Sequence, residues 1–157
     1  MDDAGALARL SSLGLELPPP PSAIASYLLV VVSGGVAYLA GQIPLVDGEL
    51  LHPGRLGEDV SLEQGVEAAR RCALQALSAL RAALGGTLEG LERLLKVDVF
   101  VASTPTFTDQ PKVANGVSEL LAEVLGEPGR HARAAVGVAS LPLGACVEVA
   151  LTAAVSV

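Results

Sequence analysis

Aromatic residues are nearly missing from this chain: 157 residues carry no tryptophan, two tyrosines and two phenylalanines. A stacking platform for single-stranded nucleic acid needs a series of aromatics in basic surroundings. Basic residues are short as well, with ten Lys and Arg against 17 Asp and Glu, a net charge of −7. Phosphate backbones are repelled on average by such a chain, so nucleic acid is not an expected partner. Cysteine is scarce too. Cys72 and Cys146 stand in apolar runs with no CxxC pair and no histidine at ligand spacing, which argues against a disulfide framework or a bound metal and for two core thiols.

Charge of either sign is thin, 17% of residues against 51% hydrophobic ones, which is the reverse of a disordered segment. The length suits one domain with a core of its own. The apolar surplus predicts that part of the surface is covered by further copies of the chain. No charge falls between Glu16 and Asp47, yet Ser33-Gly34-Gly35 divides that window into Tyr27–Val32 and Val36–Leu39. Two short β-branched or aromatic arms around a tight turn make a hairpin rather than a membrane span. The start Met1-Asp2-Asp3 offers no positive region for a secretory signal, so a cytoplasmic protein is expected.

Ala6, Leu7, Leu10 and Leu13 form a brief helical stripe, and Pro18 to Pro21 impose an extended arm. Residues 1–20 therefore read as an appended helix and arm, and 21–157 as the main domain. Beyond the hairpin, a Gly- and Pro-bearing loop runs to Gly57, with a short edge strand near Glu49 to His52. Ser61-Leu62-Glu63-Gln64 has the spacing of a capping box and opens a helix whose face carries Leu62, Val66, Ala69, Ala73, Leu77, Leu80 and Leu84. Gly85-Gly86 closes it. Glu67 and Arg71 at i,i+4 predict a solvated ion pair. A turn of helix is expected over Leu88 to Leu94, then a strand over Lys96 to Val101 with three valines on one face. Asp109 and Pro111 start a second amphipathic helix that stops at Gly126. Strands follow at Ala132 to Ala139 and Cys146 to Val155. The order β-β-α-β-α-β-β predicts an α+β fold, a mixed β-sheet with two long helices on one face, the other face packing on other subunits.

Arg133 interrupts the apolar run from Ala132 to Val138. Its guanidinium needs either a protein carboxylate or a ligand anion, which its fork suits bidentately. If the last two strands pair as a hairpin turning at Pro142 and Leu143, Arg133 shares a face with Glu148 and Ala150. Glu148 then lies about 13 to 14 Å along the sheet, too far for an easy salt bridge. His131 reads either as an exposed residue entering the strand or as a proton carrier, and Tyr27 either as a core aromatic or as part of a site. Tyr38 and His52 have no constellation around them.

The stretch from Ala23 to Tyr27, then Gly41-Gln42-Ile43-Pro44, then Ala132-Arg133 followed by Leu141-Pro142 and Val147-Glu148-Val149, resembles the Rid (YjgF/YER057c/UK114) family. The resemblance spans about residues 20 to 157, with the N-terminal helix and the loop from Asp47 to Asp59 as additions of a divergent subgroup. It implies a chorismate-mutase-like fold, a homotrimer and three clefts between subunits. It also implies hydrolysis of reactive enamines and imines, such as 2-aminoacrylate, to 2-keto acids and ammonia, with no cofactor. On the same resemblance Arg133 binds the substrate carboxylate, Tyr27 lines the cleft, the backbone of Ala40 and Gly41 forms its wall, and Asn115 matches a cleft asparagine. Ala135 stands where the deaminase branch has a cysteine, and Ala150 where it has a water-positioning glutamate. Backbone carbonyls, Glu148 or His131 are left to carry the proton. A small-anion-binding protein without turnover is the alternative. Ribonuclease activity, a name also attached to the family, ranks last on charge.

Overall fold

The computed structural model describes residues 1–22 and 26–156, so Ala23, Ile24 and Ala25 of the sequence motif lie outside the described residues. Helix α1 (Asp3–Ser12) precedes β1 (Val30–Ser33) and β2 (Val36–Gln42), and a small ladder of β3 (Leu45–Val46) and β4 (Glu49–Leu50) follows. Then come α2 (Leu62–Ala83), β5 (Leu91–Ala102), α3 (Gln110–Leu125), β6 (Ala132–Val138) and β7 (Val147–Val155). The main sheet has the order β1-β2-β7-β5-β6, with β5 and β6 parallel and the other neighbours antiparallel.

Patterning decides which strand is central. Along β7 burial alternates without a break, Val147, Val149, Leu151, Ala153 and Val155 lying under the helices. A strand so regularly apolar gains most with a neighbour on each side, and β7 runs between β2 and β5. The alanine-rich β6 takes the edge. It is joined to β5 through α3, a crossover long enough to return the chain parallel. The last two strands are therefore not a hairpin, which corrects the expected register: Arg133 lies opposite Val97 of β5, and Glu148 opposite Phe100.

Ser61 caps α2 as its spacing predicts. Its hydroxyl accepts from the Gln64 N–H at 3.2 Å while the Gln64 side chain accepts from the Ser61 N–H at 2.9 Å. Two local expectations fail. The segment after Leu88 is strand from Leu91, because Leu91 and Leu94 pack into the core against β7 rather than along a helix face. Glu67 does not pair with Arg71: its carboxylate meets His52 Nε2 at 2.6 Å, and Arg71 Nε donates to the Leu45 carbonyl at 2.6 Å. Both partners come from the β3–β4 region, so the loop is strapped to α2 and competes with the local pair.

Helix α1 is fixed by charge as well as by the buried Ala6 and Leu10. Asp3 accepts from two nitrogens of Arg81, each at 3.0 Å, and from the Leu88 N–H at 2.9 Å. The Arg81 hydrogen bond holds the Asp3 carboxyl below its ordinary range, against the opposing effect of burial. Arg9 Nε donates to the Val124 carbonyl at 2.6 Å, giving α3 a cation that its own last turn lacks.

Helices α2 and α3 touch at Gly116, where a Cβ would come within 2.6 Å of the Val66 carbonyl oxygen. That neighbour is backbone and cannot swing away. Gly116→Val is expected to lower stability by about 1 to 3 kcal/mol through overpacking. A fall in the urea midpoint at unchanged slope checks it.

Candidate functional site

Two groups of polar residues stand out, and they lie on opposite faces of the sheet. The first borders an apolar cavity of about 470 Å3 on the face away from the helices. Its floor comes from a bulge in β2. Leu39 pairs with Leu151 and Gln42 with Val149, so Ala40 and Gly41 together oppose the single residue Ala150. The Glu148 side chain lies over Gly41, in space that a Cβ at position 41 would occupy. Tyr27, 43% exposed, lines the cavity from the segment before β1, so it belongs to neither the core nor the strand expected for it. Ile43, Pro142 and Leu143 supply the apolar wall. Burial pushes the Glu148 carboxyl above the ordinary glutamate range.

The second group gathers at the β6 edge on the helix side. Arg133 pairs with Val97, whose side chain is fully buried under the helices, and so it points toward α3 rather than toward Glu148. Its Nη1 donates to Asn115 Oδ1 at 2.9 Å and to Ser118 Oγ at 3.2 Å, and Nη2 donates to the Pro111 carbonyl at 3.4 Å. Positions 111, 115 and 118 recur at helical spacing along one side of α3. Among the described residues no carboxylate pairs with Arg133. All its partners are neutral, so the guanidinium is oriented while its charge stays uncompensated.

His131 completes this network. Its Nδ1 is 2.7 Å from the Gly129 carbonyl, which only accepts, so Nδ1 carries the proton and Nε2 accepts from Ser118 Oγ at 3.0 Å. Burial lowers the His131 pKa, the Gly129 carbonyl opposes this, and the nearby Arg133 charge adds to the lowering. The neutral ring thus fixes the Ser118 hydroxyl, which in turn accepts from Arg133. His131 is half-buried and linked to Arg133, remote from Glu148 across the sheet.

The structure brings Tyr27, Ala40, Gly41 and Glu148 together, and separately Asn115, His131 and Arg133. Ala135 faces the helix side like Arg133 and packs against the core. Ala150 pairs with Asp98, and the last-strand carboxylate at the cavity is that of Glu148. Sequence reasoning passed over Ser118, although a serine three residues after Asn115 on an apolar helix was a usable signal. It also gave no role to the apolar wall at Ile43 and Leu143, the first inside the Gly41-Gln42-Ile43-Pro44 motif and the second just beyond Leu141-Pro142.

A mixed sheet with two helices on one face and a bulged cavity on the other defines an α+β protein of chorismate-mutase-like fold. The chain belongs to the family described as "YjgF/chorismate mutase-like, putative endoribonuclease", whose model matches residues 7–155. It is 47% identical to Protein TCP17 of Trypanosoma cruzi over 143 residues, 90% of this chain and 89% of that one. The crystal structure of Atu1372 from Agrobacterium tumefaciens superposes with a TM-score of 0.92 at 42% identity, covering 99% of this chain and 94% of the other. RidA from an Antarctic Psychrobacter is more distant, with a TM-score of 0.59 and 27% identity over 87% of this chain and 94% of its own. Among the described residues, no helix is long and apolar enough to cross a membrane.

Proposed function

We propose that the protein hydrolyses small 2-imino and 2-enamino acids to 2-keto acids and ammonia, without a cofactor and in the cytoplasm. The observation that carries this reading is Arg133: a guanidinium held by three neutral acceptors on α3, with its charge free for a carboxylate. Tyr27 and Glu148 sit on the other face of the same sheet, so one chain does not bring Arg133 to its own cavity. A homotrimer, in which the β6 edge of one copy closes the cavity of the next, supplies both halves in each of three clefts.

In such a cleft Arg133 binds the substrate carboxylate and leaves the C=N carbon facing Glu148. An enamine first takes a proton from solvent at its terminal carbon and becomes the iminium. Water then forms a C–O bond to C2 as the C=N pair moves to nitrogen, and Glu148 accepts the proton that the water loses. The carbinolamine collapses when Glu148 returns that proton to nitrogen. The C–N bond breaks as the hydroxyl proton passes to Glu148 and the C=O bond forms; ammonia leaves, and Glu148 gives that proton to solvent. Asn115, Ser118 and His131 act as positioning residues for Arg133. RNA is disfavoured by the net charge of −7.

The test is steady-state hydrolysis of freshly generated 2-iminopropionate together with the mass of the assembly in solution. Turnover well above the buffer rate by a trimer is the expected result. A trimer that binds pyruvate through Arg133 but leaves the imine decay at the buffer rate would replace this reading with that of an anion-binding protein.

A further inference from the structure

Leu143 is hard to account for by the fold. It has φ 60° and ψ 8°, a left-handed conformation that disfavours any residue with a Cβ. It is also 71% exposed, so burial within the chain does not offset the strain. The turn around it is set by others. The Gly144 and Ala145 N–H groups donate to the Leu141 and Pro142 carbonyls, and the Gly54 N–H, reaching over from the loop before α2, donates to the Gly144 carbonyl at 3.0 Å. Glycine would satisfy that backbone at lower strain, as it does next door at Gly144 with φ 84°. What the leucine side chain does have is a place on the cavity wall, beside Ile43, Pro142 and Tyr27.

The geometry points to Leu143, with Ile43, as the seat for an aliphatic substrate side chain, so that the protein prefers 2-imino acids with branched or extended four-carbon side chains over the methyl compound. This rests on the hydrolytic reading above and names its substrate class. The cavity measures about 470 Å3. A three-carbon imino acid has six heavy atoms, on the order of 180 Å3 at about 30 Å3 for each water-sized unit. Space therefore remains beyond the reacting carbon, and among the described residues Glu148 is the only ionisable group besides the Tyr27 phenol on the cavity wall. Ile43 is 7% exposed and makes a fixed surface, while Leu143 reaches in from the rim. A strained residue without a structural return is where a functional demand is to be sought.

The experiment compares kcat/KM for freshly generated 2-iminopropionate and 2-imino-4-methylpentanoate in the wild type, Leu143→Gly and Leu143→Asn. The wild type is expected to favour the branched substrate by about tenfold or more, the scale on which added methylenes are distinguished in an apolar pocket. In both variants, which tolerate positive φ, that ratio falls toward one through a higher KM for the branched substrate, with the melting temperature held or raised. A wild type that hydrolyses both imines without preference, or a Leu143→Gly protein that keeps the preference, overturns the seat and leaves the hydrolytic function standing. A change in the mass of the assembly in Leu143→Gly also overturns it, since the leucine would then be a contact between copies. If neither imine is hydrolysed the hydrolytic reading fails by itself. Calorimetric binding of 4-methyl-2-oxopentanoate against pyruvate then decides the seat: a preference lost in Leu143→Gly upholds it, and equal binding by the wild type overturns it.

Discussion

Arg133→Ala is expected to lower kcat/KM for a 2-imino acid by between about 30-fold and about 4,000-fold, the range that corresponds to losing one partner of a hydrogen-bonded charge pair at 2 to 5 kcal/mol. The protein should stay folded. Arg133 sits on an edge strand, and its removal leaves Asn115 Oδ1 and the Pro111 carbonyl, both on exposed residues, free to bond water. A stability change under about 1 kcal/mol is the corresponding outcome in denaturant. Arg133→Lys is expected to recover little of the activity, because a point charge cannot hold Asn115, Ser118 and a carboxylate in one plane. Steady-state kinetics beside an unfolding curve separates this from a structural role. An Arg133→Ala protein that unfolds or dissociates, or that turns over normally, removes Arg133 from the site.

Glu148→Gln carries the second large effect, a fall in kcat of about 10² to 10⁴, the contribution of a positioned general base. The pH profile identifies the group. Burial raises the Glu148 pKa, so wild-type activity is lost as pH falls through a value above the usual carboxylate midpoint of about 4.3, and Gln removes that limb. Stability has the opposite sign from the usual carboxylate case. A group whose folded pKa is raised binds protons more readily in the native state, so its ionised form destabilises the fold at pH values above that window. Glu148→Gln should therefore melt no lower than the wild type at neutral pH. His131 titrates below its ordinary value of about 6.5, and an acid limb that survives in Glu148→Gln would transfer the proton-carrying role to it.

Local chemistry makes much of this legible in the sequence. The capping box at Ser61 and Gln64, the glycine stop at Gly126 and the two-sided turn at Gly34-Gly35 depend on neighbours within a few residues, and each lies where its spacing places it. Strand pairing does not depend on neighbours. The segments 132–139 and 146–155 adjoin in sequence and look like a hairpin, but β7 has the stronger apolar period and takes the central position, leaving β6 to pair with β5 across α3. That exchange moved Arg133 to the other face from Glu148. The motif residues were thus readable one by one, while their division into two groups was a property of the topology. Ser118 and Leu143 escaped notice for a different reason: one works through Arg133, and the other is conspicuous only through its backbone angle.

The N-terminal helix has a consequence for the order in which the molecule is made. The partners of α1 come late: Arg81 is 78 residues beyond Asp3, Leu88 is 85 beyond it, and Val124 is 115 beyond Arg9. A ribosome adding about 5 to 20 residues per second releases α1 several seconds before the end of α3 exists. Ten residues without a packing partner form a marginal helix at best in water. Helix α1 therefore stays without packing partners until α2 has been made, and its anchoring is complete only when the end of α3 reaches Arg9. It serves as a latch on a finished bundle rather than as a seed for it.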